Sequence, residues 1–137
     1  MKRRITVEQL QELTEEQQQK LREWWEPAKG DIFHSTHYSG LYDYHIAIDV
    51  HNYTILDGIT DVELDKTTCL PLLDIGQMIE LLDNNSISEK EFAISHVKHG
   101  AEYYYEVLAI DKNERYETFE SAEELVDALW QAVKQIL

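Results

Sequence analysis

Basic side chains are scarce in this sequence, and cysteine and proline are scarcer still. Cys69 is the single cysteine among 137 residues, so neither an intramolecular disulfide nor a thiolate zinc cluster can form. No basic residue lies nearer to it in sequence than Lys66, so nothing local favours a reactive thiolate and burial is its expected fate. No apolar run approaches the roughly 18 residues of a membrane span, and the opening MKRRITVEQL has no apolar stretch of the kind a signal peptide needs. The expected location is therefore cytoplasmic, with no membrane partner. Nothing matches G-x-S-x-G, a P-loop or G-x-G-x-x-G, which removes the common nucleophile and phosphate-cradling signatures.

What fills the space left by the missing bases is acid. The chain carries 27 Asp and Glu against 12 Lys and Arg. Three of the bases are Lys2, Arg3 and Arg4, so residues 5–137 hold 27 acids against 9 bases. Such a field repels phosphate backbones and anionic membranes and attracts basic surfaces and divalent cations. Direct nucleic-acid binding is not expected, and a basic protein is the partner class the charge favours. The plainer role of the same charge is to keep the chain soluble and monomeric.

The length suits one domain spanning residues 1–137, with 1–5 flexible. Thr6 and Gln9 form one T-x-x-Q capping box and Thr14 and Gln17 a second, opening N-terminal helices that Pro27 and Gly30 end. Residues 31–43 read as loop or irregular strand. YHIAIDV then alternates as a strand, with Tyr44, Ile46, Ile48 and Val50 expected inward and His45, Ala47 and Asp49 outward. Asp57-Gly58 between YTIL and ITDVEL predicts a hairpin with a two-residue type I′ turn. Pro71 argues against a strand at 69–71, Asp74 caps a short helix, and Gly76 in its first turn suggests close backbone packing. FAISHV, EYYYEVLAI and ERYETF predict three further strands. SAEELVDALWQAVKQIL predicts an amphipathic C-terminal helix opened by a Ser121–Glu124 box. The fold class that follows is α+β, mainly antiparallel, with N-terminal helices, a short central helix and a C-terminal amphipathic helix.

Three segments, LTEEQQQKLREWWEP at 13–27, CLPLLDIGQMIELL at 69–82 and ELVDALWQAVKQIL at 124–137, resemble a group of small, acidic, uncharacterised proteins encoded in prophages and phage-like elements of Gram-positive bacteria. The resemblance covers about a third of the chain. It implies a phage-associated intracellular protein and assigns no catalytic residue. The three segments are also the capped helices, so they mark scaffold.

Residues 31–65 contain no Lys or Arg but seven acids and four of the six histidines. His34 and His37 with His45, Asp49 or His51 form a candidate metal site, because imidazole and carboxylate together suit zinc, nickel or iron and an extended strand would point His45, Asp49 and His51 to one side. The spacing matches no recognised ligand motif, and polar alternation is what a half-solvated strand carries anyway. Asp61, Glu63 and Asp65 alternate onto one strand face, and Trp24-Trp25 is core, a partner hot spot or a ligand platform; these five are the candidate interaction residues. His96-x-x-His99 would face opposite sides of a strand. Tyr103 and Tyr105 share a face but have no Lys or Arg beside them in sequence, which favours sheet packing or a protein interface over base stacking. The leading expectation is a non-enzymatic interaction protein engaging a basic partner, with mimicry of DNA as a special case. The alternative is a small metal-binding protein or metal-dependent enzyme centred on residues 34–51.

Overall fold

The computed structural model describes residues 1–36, 43–84 and 90–137, and it is α+β with two antiparallel sheets. The chain divides into two compact units, one of Thr6–Leu73 and one of Met1–Ile5 with Asp74–Leu137.

The first unit opens with α1 (Val7–Leu10) and α2 (Glu15–Trp24). Both threonine boxes form: Thr6 Oγ1 accepts from Gln9 N at 3.1 Å, and Thr14 Oγ1 accepts from Gln17 N at 3.1 Å. The second box separates the two helices, because Thr14 must be extended (φ −69°, ψ 164°) to cap α2. Five strands follow: β1 (Ile32–Ser35), β2 (His45–His51), β3 (Thr54–Asp57), β4 (Glu63–Asp65) and β5 (Cys69–Pro71). Their order in the sheet is β4-β3-β2-β1-β5. The meander β2-β3-β4 is the one the sequence predicts, whereas β1 and β5 extend it from segments read as irregular or broken by Pro71. Pro71 is tolerated because β5 is an outer strand, where one side of the backbone needs no ladder partner. Arg22 Nε covers that edge by donating to the Cys69 carbonyl at 3.2 Å.

Up to the bulge the faces of β2 are opposite to expectation: His45 and Ala47 are buried, while Tyr44 and Ile48 are exposed; Asp49 is exposed as expected. The register pairs Phe33 with His45, which sets His45 on the same side as the fully buried Phe33. A bulge between Ala47 and Asp49 then returns Val50 to the inner face. Alternation alone could not reveal this, since Ile46 and Ile48 are as apolar as any core residue. Trp25, Phe33, Ala47, Ile55 and Cys69 form the core of this unit, with Trp24, Val50 and Leu64 packed against it.

The β3–β4 hairpin exists, but its turn spans Gly58–Val62. Asp57 ends the strand, and the positive φ falls on Asp61 at 62°. Gly58 is needed for a different reason: its N–H donates to the Ile46 carbonyl at 2.8 Å, and a Cβ there would sit 2.5 Å from Ile48 Cγ2.

The second unit contains α3 (Ile75–Leu82), β6 (Glu91–His99), β7 (Glu102–Ile110), β8 (Tyr116–Ala122) and α4 (Leu125–Ile136). Asp74 caps α3 as expected, accepting from Gln77 N at 2.7 Å. Gly76 is not a close-packing point, because only Asp74 Oδ1 lies near its open side. The strands run in the order β6-β7-β8, and α4 packs on β7, β8 and α3 with Val126, Leu129, Trp130 and Val133 wholly buried. The predicted Ser121–Glu124 box does not form: Ser121 belongs to β8 opposite Glu106, and α4 starts four residues later. Residues 1–5, expected to be flexible, are tied down by a bridge between Arg4 and Asp74, by burial of Ile5, and by Lys2 Nζ at 2.7 Å from Asp127.

Candidate functional site

The polar centre of the first unit is Asp57, which is fully buried and ends β3. Its carboxylate accepts from His45 Nδ1 at 2.6 Å, Ile46 N at 3.1 Å, Ile59 N at 3.1 Å, Thr60 N at 3.0 Å and Thr60 Oγ1 at 2.5 Å. A carboxylate only accepts, so the shared proton fixes His45 with its hydrogen on Nδ1. The ring of His45 stacks on Phe33 with centroids 5.3 Å apart. Burial pushes the Asp57 carboxyl up, but the hydrogen bonds from Thr60, His45 and the two backbone amides outweigh it and bring the group down to about 2 from an ordinary 3.8. A depressed folded-state value means that the fold favours the ionised form. The stability Asp57 contributes is therefore complete above pH 3.8 and lost as the pH falls toward 2. The expected loss is about 2 kcal/mol across that window, measurable as a falling urea midpoint that an Asp57→Asn chain would not share.

A His–Asp pair resembles the orienting half of a nucleophilic relay, yet this one is arranged as structure. The Thr60 hydroxyl is committed to Asp57 itself. The Cys69 thiol is buried two strands away, with β1 between them. It donates to the Asp65 carbonyl at 3.3 Å, and burial pushes its pKa up, so it stays a thiol.

The metal-site residues are dispersed. His45 faces inward onto Asp57, while His34 lies on the opposite side of β1 with Nδ1 donating to the Asp43 carbonyl at 2.9 Å. Asp49 and His51 are exposed on the outer side of β2, on the order of 15 Å along the strand from the position opposite His34. His37 lies outside the described residues. Among the described residues no group of three or more His, Cys, Asp and Glu side chains is placed to hold a metal ion. His34 instead helps line an open depression of about 240 Å³ with Leu10, Gln11, Gln18, Thr36 and Leu70.

The paired tryptophans separate as well. Trp25 is core, 1% exposed, and Trp24 is half-buried against the same cluster. Their adjacency concealed this, because one residue turns 100° around a helix and the two rings need not share an environment.

What the register does assemble is the outer face of β2-β3-β4. Asp49, Leu56 and Glu63 form one cross-strand row, and His51, Thr54 and Asp65 the next. Adjacent strands lie about 4.8 Å apart, so Asp49 and Glu63 are about 10 Å from one another, as are His51 and Asp65. All four are exposed, while Leu56 and Thr54 between them are half-buried. Asp65 also caps the 3₁₀ turn at Lys66–Thr68, accepting from Thr67 N and Oγ1 at 2.9 Å each; these bonds lower its pKa and keep it ionised. Exposed apolar side chains border the rows: Tyr53 at the β2–β3 turn, Ile48 in the bulge and Val62 before β4. Sequence reasoning assigned Asp49 and His51 to one site and Glu63 and Asp65 to another. The bulge makes them neighbours, and only the register could have shown it.

On the second sheet His96 and His99 fall on opposite sides of β6, as expected for odd spacing. Tyr103 does have a cation beside it, with Lys98 Nζ 5.5 Å from its centroid, and the His96 ring stacks on Tyr105 at 4.3 Å. Both come from the paired strand β6, out of reach of a search along the sequence.

No protein family, no curated protein and no solved structure matches this chain.

Proposed function

We propose that this chain is a non-enzymatic interaction module that engages a basic protein through the outer face of β2-β3-β4, and that it acts inside the cell as a product of a phage-like element. The observation that carries the binding role is the pair of cross-strand rows in which Asp49, Glu63 and Asp65 surround half-buried Leu56, with Tyr53, Ile48 and Val62 exposed at the border. An apolar centre with a charged rim is the composition of a protein interface. The three strands supply acids and no Lys or Arg to this rim, since none occurs between residues 31 and 65, and Lys66 follows only at the end of β4. That field speeds encounter with a basic surface and repels a phosphate backbone. The phage association is what the three helical segments' resemblance implies.

The test is a pull-down from host lysate at low and moderate salt, run in parallel with an Asp49→Lys/Glu63→Lys chain. A basic protein retained by the unaltered chain is expected to lose on the order of 10-fold in affinity to the double variant and to be released by salt. Capture that is equal for both chains would remove this face from the reading. Capture insensitive to salt would remove its electrostatic basis.

A further inference from the structure

Among the described residues, the second unit has one long sheet edge free of proline and of bulges, with Glu91 and Lys98 as its charged residues. An outer strand offers unpaired N–H and C=O groups to any passing strand, and proteins blunt such edges by shortness, charge, proline, bulges or a covering helix. In the first unit, β4 is three residues long with two acids, and β5 is three residues long, ends in Pro71 and is covered by Arg22. In the second unit, β8 is bulged opposite Val107–Leu108 and packed by α4. β6 is different. It runs nine residues, Glu91 to His99, pairs with β7 without a register shift, and has no proline.

The turn fixes which of its groups are free. His99 pairs with Glu102 across a two-residue turn at Gly100 and Ala101, which makes them a hydrogen-bonded pair. Alternation then directs the backbone N–H and C=O of Phe92, Ile94, His96 and Lys98 away from β7. Ile94 is 43% exposed although it lies opposite the buried Val107.

We infer that β6 pairs antiparallel with β6 of a second copy of this chain, joining the two three-stranded sheets into one of six strands about a two-fold axis at Ser95. This register places no like charges opposite one another: Glu91 of each copy meets His99 of the other, Phe92 meets Lys98 and Ile94 meets His96. Glu91 and Lys98 give the strand a formal charge of zero in a chain of −15, so this is a stretch where two acidic bodies approach without their charges opposing the contact. The four outward residues pair with one another as hydrogen-bonded pairs, leaving Ser95 opposite its own copy as a non-hydrogen-bonded pair with Cα atoms about 4.5 Å apart. This pairing is independent of the acidic face and of its partner.

Sedimentation velocity at about 100 μM, which populates a micromolar dimer, is expected to give a dimer for the unaltered chain. His96→Pro is expected to give a monomer with unchanged far-UV circular dichroism, because its N–H faces the free edge. The register has its own test. In a glutathione redox buffer, Ser95→Cys is expected to form a disulfide-linked dimer, since its Cα separation lies in the range a disulfide spans. Ala93→Cys is expected not to, because each copy then lies four residues from the other, about 13 Å along the strand. Cys69 is buried and common to both chains. A monomer at that concentration would overturn the proposal, and so would a dimer in which Ala93→Cys links as readily as Ser95→Cys.

Discussion

Replacing Asp57 by alanine is expected to lower the unfolding free energy at pH 7 by about 3–5 kcal/mol, the range observed when one member of a buried charged network is removed. The size follows from how many groups depend on one carboxylate. Without it the amides of Ile46, Ile59 and Thr60 and the ring N–H of His45 lose their acceptor, and buried donors left unsatisfied cost about 1–3 kcal/mol each before relaxation. His45 is 1% exposed, so water cannot replace the lost acceptor without opening the sheet. Two amide bonds and the Thr60 hydroxyl also hold the Gly58–Val62 turn, so the β3–β4 hairpin should loosen along with the core. The dependence is one-sided. His45→Phe removes one of five donors and keeps a ring against Phe33, and its expected loss is smaller, about 1–2 kcal/mol. Asp49→Ala, on the exposed side of the same strand pair, should stay within about 0.5 kcal/mol. Urea denaturation followed by far-UV circular dichroism checks all three, and a loss below about 1 kcal/mol for Asp57→Ala would mean that Asp57 is not the centre of the network.

Asp57 also shows where sequence reasoning stops. Asp-Gly is a strong local signal for a turn, and a turn is present, but the residue that signals it also serves as acceptor for β2, twelve residues earlier. Period-two alternation identified β2 as a strand but assigned its faces the wrong way before the bulge, because Tyr44, Ile46 and Ile48 are more apolar than His45, while Asp49 and Val50 beyond it lie on the expected sides. Burial of His45 becomes favourable only when the Asp57 carboxylate is there to accept from its ring, which is a tertiary fact. Legible features were those whose cause is local: the capping boxes at Thr6, Thr14 and Asp74, the buried face of α4, and the alternation of β6 and β7. The Ser121 box failed because its serine was claimed by pairing with Glu106 in β8. The candidate sites were half legible for the same reason. Asp49, His51, Glu63 and Asp65 were each noticed, but their grouping depends on a one-residue bulge that no composition rule anticipates.

Trp25→Ala is expected to cost about 3–5 kcal/mol, as truncation of a buried aromatic does, whereas Trp24→Ala should cost about 1–2 kcal/mol because its ring already borders solvent. Trp25 lies at the end of α2 with 1% of its surface exposed and its ring centroid 6.1 Å from that of Phe33. Its indole N–H donates to Asp31 Oδ2 at 3.0 Å, and the same oxygen accepts from Ala28 N at 3.0 Å. One side chain therefore fills the core and, through Asp31, secures the chain reversal between α2 and β1. Trp25→Phe separates the two roles. It retains most of the apolar area but leaves Asp31 without its indole donor, for an expected loss of about 1–2 kcal/mol. The ordering Ala, then Phe, then unaltered in urea midpoint is the signature of a residue that packs and hydrogen-bonds at once. An interface residue behaves in the opposite way, with stability unmoved and partner binding lost. If Trp25→Ala unfolds at the same urea concentration as the unaltered chain while partner capture falls, then Trp25 serves recognition and the core of the first unit does not depend on it.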